Sequence, residues 1–231
     1  MSIFNGIQRL REYQRRHGLV ATLERATLAM RRALLSSHSV LFYCDLAGQV
    51  KASAGLPASL QVERKKSLSE LGSDDLQDIL NAWNASAAER NMKERFAMGA
   101  SLWLIKSGGK LAGYGWTLQG RTVEPHYFPL APDDVQFLDF YIFQRYRGKA
   151  IDWFLMTYIL RRLAAEGLAR AFGEAAEWNQ ASLSSFRITP FRFLGRARKV
   201  TILGRTVVSW AESNLRPRTP AANEAPLRSA S

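Results

Sequence analysis

Arg145-Tyr146-Arg147-Gly148-Lys149-Ala150 stands between an apolar run at 135–143 and a helical pattern at 151–163. A strand that turns through a glycine straight into a helix leaves the first helical N–H groups unpaired, beside the positive end of the helix dipole. Arg145, Arg147 and Lys149 add three cations to that corner. The combination suits a pyrophosphate. By itself the pattern also fits a basic helix start in which Gly148 merely relieves crowding. Its surroundings favour the phosphate seat: a strand precedes it, an amphipathic helix follows, and after the next strand comes Trp178-Asn179-Gln180-Ala181-Ser182-Leu183-Ser184-Ser185-Phe186.

On these residues the chain resembles the GCN5-related N-acetyltransferases. Arg145-x-x-Gly148-x-Ala150 matches that family's [Gln/Arg]-x-x-Gly-x-[Gly/Ala] signature, and Asn179 to Ser182 is similar to its Asn-x-x-Ala/Ser helix entry. The likeness covers roughly residues 95–210 and is strongest over 135–195. It implies an α/β fold with a mixed, mostly antiparallel central sheet, splayed at the cofactor site and flanked by helices. It also implies acetyl-CoA as cosubstrate, without a metal, and acetyl transfer to a primary amine. Backbone groups of Tyr141, Ile142 and Phe143 would then pair with the pantetheine arm, one N–H polarising the thioester carbonyl. Arg145, Tyr146, Arg147, Gly148, Lys149 and Ala150 would hold the pyrophosphate. Asn179, with Ser182 on the helix it opens, would contact the cofactor or fix the splayed strand end.

The family's chemistry requires an amine to lose a proton, attack the thioester directly and expel a thiolate that takes up a proton. Many members carry a tyrosine as general acid seven residues after the asparagine; here that position is Phe186. Water, Ser185 or Tyr141 would have to substitute. For the base, Asp139 alternates with Tyr141 and Phe143 on the strand, and Glu177 and Glu174 lie on the neighbouring strand. Each carboxylate is equally suited to an ion pair with one of the many arginines.

At 231 residues and 47% apolar content, a single domain hides roughly 70–75% of its unfolded surface. The formal net charge of +12 attracts anions of several kinds: CoA phosphates, nucleic acid or an acidic membrane surface. An arginine-rich surface without a recognised RNA-binding module is weak ground for a nucleic-acid partner. The lone Cys44 has no partner for an internal disulfide and reads as a small hydrophobe in a reducing compartment. There is no apolar stretch near the roughly 20 residues of a membrane span and no signal-peptide pattern at the N-terminus, so the expected location is the cytoplasm.

Three parts are expected: a basic amphipathic helical segment at 1–38, an acyltransferase domain at 39–211 and a disordered, proline-containing tail at 212–231. In the first, Ile3, Ile7 and Leu10 form one stripe and Leu19, Leu23, Ala26, Met30 and Leu34 another, among seven arginines. That pattern suits packing on the domain, a homodimer contact or peripheral contact with anionic lipid.

Within the domain, strands are expected at 40–46, 101–106, 110–119, 135–143 and 169–178, with closing strands at 191–194 and 200–210. Helices are expected after a capping box at Ser67–Glu70, at 87–98, at 148–166 and from Asn179. Ser107-Gly108-Gly109 signals a hairpin. The glycines at 108, 109, 113 and 115 lack the Gly-Lys-Ser/Thr end of a P-loop, and the scattered His17, His38 and His126 give no zinc spacing.

The expected acceptor is a small-molecule or protein amine, with an amino sugar among the candidates. The loop 123–130 contributes His126 and Tyr127, which suit stacking on a sugar or orienting an amine, or else anchor the loop through its own aromatics. The non-enzymatic alternative is a CoA-binding or nucleic-acid-binding protein that keeps the same scaffold; Phe186 and the positive charge lend it weight.

Overall fold

Apolar alternation and runs of continuous burial sort the chain into β1 (Ser39–Asp45), β2 (Leu60–Lys65), α1 (Ser73–Ala82), α2 (Ala85–Ala97), β3 (Ser101–Ser107), β4 (Lys110–Gln119), β5 (Asp134–Ile142), α3 (Ile151–Ala165), β6 (Arg170–Ala176), α4 (Gln180–Arg187), β7 (Arg192–Ile202) and β8 (Arg205–Ser213). The computed structural model describes residues 38–47, 55–122, 126–202 and 205–214. The stripes at 3–36 and nearly all of the tail lie outside them.

The strands form one sheet in the order β2-β3-β4-β5-β6-β1-β7-β8. Every pairing is antiparallel except β5 with β6, which is parallel. The fold is therefore mixed α/β with a mostly antiparallel sheet, as the sequence implied. β3 and β4 are buried on both faces, which requires helices on both sides. On one face, α3 and α4 cover a core that includes Trp103, Phe137, Leu155, Ile159 and Phe186. On the other, α1 and α2 cover Leu102, Leu104, Tyr114 and Trp116, while the segment 126–130 packs beside Leu41, Phe172 and Leu194.

Local signals decide several boundaries. Gly108 and Gly109, at φ +56° and +78°, form the two-residue loop joining β3 to β4, the positive-φ pair that a tight hairpin asks for. Asn84 caps α2, its side-chain oxygen accepting from the Ala87 N–H at 3.1 Å. The expected capping box works differently. Glu70 accepts from the Lys66 N–H at 2.9 Å and the Ser67 hydroxyl at 3.2 Å, which closes a single 3-10 turn, and the helix begins only at Ser73.

Other expectations change. β2 was not anticipated: short and charged, it is an edge strand, with Glu63 bonded to Lys65 and Lys106 at 2.8 and 3.0 Å. The stretch 195–199, read as a break, continues β7, because Ala197 is fully buried between exposed or half-buried basic neighbours and the period of two persists beneath the charge. β8 reaches Ser213, so the first two residues assigned to the tail are in the sheet. Cys44 is buried in the core, and desolvation pushes its thiol up to about 11, with Asp45 adding to the effect and Arg192 opposing it. Among the described residues no helix is long and apolar enough to cross a membrane.

Candidate functional site

The sheet opens where β5 leaves β6. The two strands pair only from Asp134–Arg170 to Phe137–Gly173; beyond that, β6 continues to pair with β1 while β5 turns away. The paired end is clamped. The fully buried Asp134 accepts two bonds from Arg170, at 2.8 and 2.7 Å, and a third from the Ala131 N–H at 2.8 Å. The other end is pulled towards β4 by a bulge in which Leu138 and Asp139 together oppose Trp116. Gly113 and Gly115 make room for this: a Cβ would lie 2.5 Å from Ile142 Cδ1 at the first and 2.4 Å from the Phe140 ring at the second.

The resulting wedge is lined on one side by backbone. The Phe143 N–H is bonded to the Ala112 carbonyl at 3.0 Å, so residues 141 and 143 face β4 and, by alternation, Phe140 and Ile142 direct their N–H and C=O groups away from it. Of the three residues expected beside pantetheine, Ile142 presents its backbone to the wedge. Tyr141 and Phe143 use theirs to hold β5 on β4. The Ile142 carbonyl accepts from Arg147 Nε at 3.2 Å.

Below the wedge, the chain makes a 3-10 turn at Gln144–Tyr146 and enters α3 through two left-handed residues, Gly148 at φ +76° and Ala150 at φ +56°. A non-glycine residue there is uncommon and marks a constrained turn. The N–H groups of Gly148, Lys149 and Ala150 have no well-formed backbone partner among the described residues, and a Cβ at Gly148 would meet nothing within 4 Å. Unpaired donors, a helix start and open space beside cations fit a diphosphate. Arg145 is turned aside, 3.3 Å from the Leu111 carbonyl and 3.6 Å from Asp78, whereas Arg147 lies over the Tyr141 ring and Lys149 over Tyr146.

α4 borders the wedge from β6. Asn179 caps it, accepting from the Ser182 N–H at 3.2 Å, so these two candidates are bonded to each other and fix the strand-to-helix exit. Phe186 is core: stacked on Phe42 at 4.5 Å, edge-on to Phe191, it sits so close to Gly173 that a Cβ there would be 2.5 Å from the ring. The Ser185 hydroxyl donates to Asp152 at 2.5 Å and lies 3.2 Å from the Ala181 carbonyl.

The carboxylates differ in what they already hold. Asp139 is ion-paired with Arg95 from α2, and Glu177 with Arg196. Glu174 is the residue after Gly173, on the sheet face shared with Phe172; its Oε2 is buried without a hydrogen-bond partner, 3.8 Å from Lys199 Nζ. On that face the buried Gln136 also has an unpartnered Oε1. Sequence reasoning passed over Gln136; the signal was a glutamine between Val135 and Phe137 at the buried start of β5.

Tyr127 is buried in the cluster with Leu41 and Phe172 and lies beneath Lys199 Nζ, 4.5 Å from the ring centre, so it anchors the segment. His126 packs edge-on against Tyr127 and Phe128, with both ring nitrogens buried and unpartnered. Burial, helped by Lys199, lowers its pKa to about 4. The folded state therefore resists protonation that the unfolded chain accepts near pH 6.5, so this contribution is complete above about 6.5 and is lost as pH falls towards 4. Denaturant unfolding at pH 7 and pH 4.5 is expected to show a loss of stability that His126→Leu reduces; an unchanged difference would show that acid acts elsewhere.

A parallel pair that splays beside a left-handed, glycine-led helix start is the arrangement that the sequence resemblance implies. The model of the acetyltransferase (GNAT) family matches residues 66–188, more than half of the chain, which belongs to that family. Similar solved structures include the IAA acetyltransferase from Bacillus cereus ATCC 14579, 14% identical over 64% of this chain and 93% of that one, with a TM-score of 0.46. A tandem GNAT protein from the clavulanic acid biosynthesis pathway is 15% identical over 82% and 59%, at 0.48. A GCN5-related N-acetyltransferase from Sphaerobacter thermophilus is 13% identical over 80% and 56%, at 0.46. The chain spans 48–63% of the length of the first three solved structures it matches. No curated protein matches it in sequence. Among the described residues no group of three or more His, Cys, Asp or Glu is placed to hold a metal ion.

Proposed function

We propose that this chain transfers an acetyl group from acetyl-CoA to a primary amine. The observation that carries the reading is the wedge between β5 and β6, opening directly above the left-handed loop at Gly148. The loop N–H groups and cations would hold the pyrophosphate, and the Phe140 and Ile142 backbone would line the pantetheine arm. The cosubstrate supplies an acetyl thioester. In the balanced transfer the amine lone pair forms the C–N bond, the C–S bond breaks, one proton leaves nitrogen and one reaches the departing sulfur.

Glu174 suits the first proton best. It follows the last β5–β6 pair, and its Oε2, 3.8 Å from Lys199 Nζ, accepts no hydrogen bond, whereas Asp139 and Glu177 are each bonded to a guanidinium group. Tyr141, on the part of β5 that pairs with β4 but no longer with β6, is the phenol available for the second. Calorimetry with acetyl-CoA, followed by thiol release against an amine panel, tests the whole: binding and amine-dependent thiol release are expected, and absence of binding would overturn it.

Phe186 favours one competing reading, a CoA-binding protein without turnover, because a buried ring replaces the phenolic acid. If the missing phenol limits the rate, Phe186→Tyr should raise kcat several-fold in a variant that stays folded. If the ring is only a core residue, the new hydroxyl should lower stability by roughly 1 kcal/mol, measured as a fall in Tm, without raising the rate.

A further inference from the structure

Trp83 is half exposed, at 55%, yet it is held in place. It terminates α1 with its backbone N–H on the Leu80 carbonyl at 3.3 Å, and the next residue caps α2. Its indole N–H donates to the Tyr114 hydroxyl at 2.5 Å. Tyr114 is itself buried in the sheet, and burial pushes its phenol up to about 12, so it stays neutral. The indole leans on Tyr141, ring centres 5.3 Å apart, and Tyr141 in turn touches Tyr114 and Phe143 at 5.7 and 5.3 Å. The polar edge of Trp83 is thus already used, and what it offers solvent is apolar ring surface.

This plate abuts the part of β5 that has left β6, two residues beyond Asp139 and its partner Arg95. A fixed aromatic face beside a cleft binds by stacking and contributes little conformational cost, since nothing needs to be ordered. The local charges narrow the class. Arg95 is paired with Asp139 and Arg145 lies 3.6 Å from Asp78, while Arg147 lies over the Tyr141 ring itself, so a second ammonium set against that ring would meet a cation.

We propose that Trp83 and Tyr141 form the acceptor subsite, which takes a single primary amine carried on a ring with an apolar face, the ring lying on the indole and the amino group directed into the wedge. The proposal rests on the acetyl-transfer reading. An amino sugar and an arylalkylamine share this chemistry, and separate arms of the test distinguish them.

The test compares glucosamine, phenethylamine and the ring-free ethanolamine as acceptors for the full chain, for Trp83→Ala and for Trp83→Phe. Trp83→Ala should raise KM for at least one ring-bearing amine by tenfold or more, leaving ethanolamine kinetics and acetyl-CoA affinity unchanged. Trp83→Phe also loses the bond to Tyr114 but keeps a ring, and should recover most of the loss; equal damage in both variants would mean a structural role and overturn the subsite. An equal effect on ethanolamine, or none on either ring amine, would overturn it too. If acetyl-CoA binds but no amine is acetylated, the transfer reading fails, and saturation-transfer NMR with the CoA-bound protein decides the subsite. Ring-proton signals present in the wild type and lost in Trp83→Ala uphold it, and their absence in the wild type removes it.

Discussion

Gly148→Glu is expected to weaken acetyl-CoA binding at least a hundredfold, about 2.7 kcal/mol, while leaving the protein folded. Three effects act together. At φ +76° the backbone is strained for any L side chain, by roughly 1–2 kcal/mol, which shifts the loop away from its left-handed turn. The side chain would project into the space left open beside the unpaired N–H groups, where the phosphates must approach. A carboxylate there also opposes two anionic phosphates in place of the attraction that the helix start and Lys149 supply. Folding should tolerate the change because a Cβ at this position meets no neighbour. Arg147→Ala should weaken binding less and in a salt-dependent way, since it removes one exposed charge and no backbone donor. Calorimetry at two ionic strengths checks both. Unchanged binding by folded Gly148→Glu would remove the loop from the cofactor site and with it the acetyl-transfer reading.

Much of this site could be read in the chain because it depends on local backbone chemistry. A glycine before a helix, cations around it and an apolar strand in front locate the loop within a few residues. The helix starts at Ile151 instead of 148 because Gly148 and Ala150 adopt left-handed conformations, and nothing in an alanine announces that. Non-local features were hidden. β1 enters the sheet between β6 and β7, where its apolar residues fill the core under α4; the same residues would serve equally at an edge, so composition could not place it. The bulge that opens the wedge depends on register between β4 and β5, with Gly113 and Gly115, inside the expected strand 110–119, the only trace. Carboxylate roles were hidden for the same reason. Whether Asp139, Glu174 or Glu177 meets an arginine depends on which helix or strand lies opposite, and Arg95 and Arg196 are distant in sequence from their partners.

That difference in partners gives the largest expected kinetic effect. Glu174→Gln keeps the size and one hydrogen-bonding oxygen of the side chain but cannot take a proton, so kcat should fall by roughly 10²–10⁴-fold if Glu174 is the base. Acetyl-CoA affinity should remain within a factor of about two, because the phosphate loop and the β5 backbone are untouched. Asp139→Asn, by contrast, removes a charge already neutralised by Arg95, and the rate should change by less than about tenfold. The decisive measurement is the rate of thiol release at saturating acetyl-CoA and amine for both variants, beside their Tm values. Glu174 has a structural duty as well, since Lys199 lies 3.8 Å away over Tyr127, and losing that pair would appear as a lower Tm. A normal rate in stable Glu174→Gln together with a collapse in Asp139→Asn would return the base to β5. It would also mean that the Arg95 ion pair opens when the amine binds, moving the reacting centre towards α2 and the Trp83 plate.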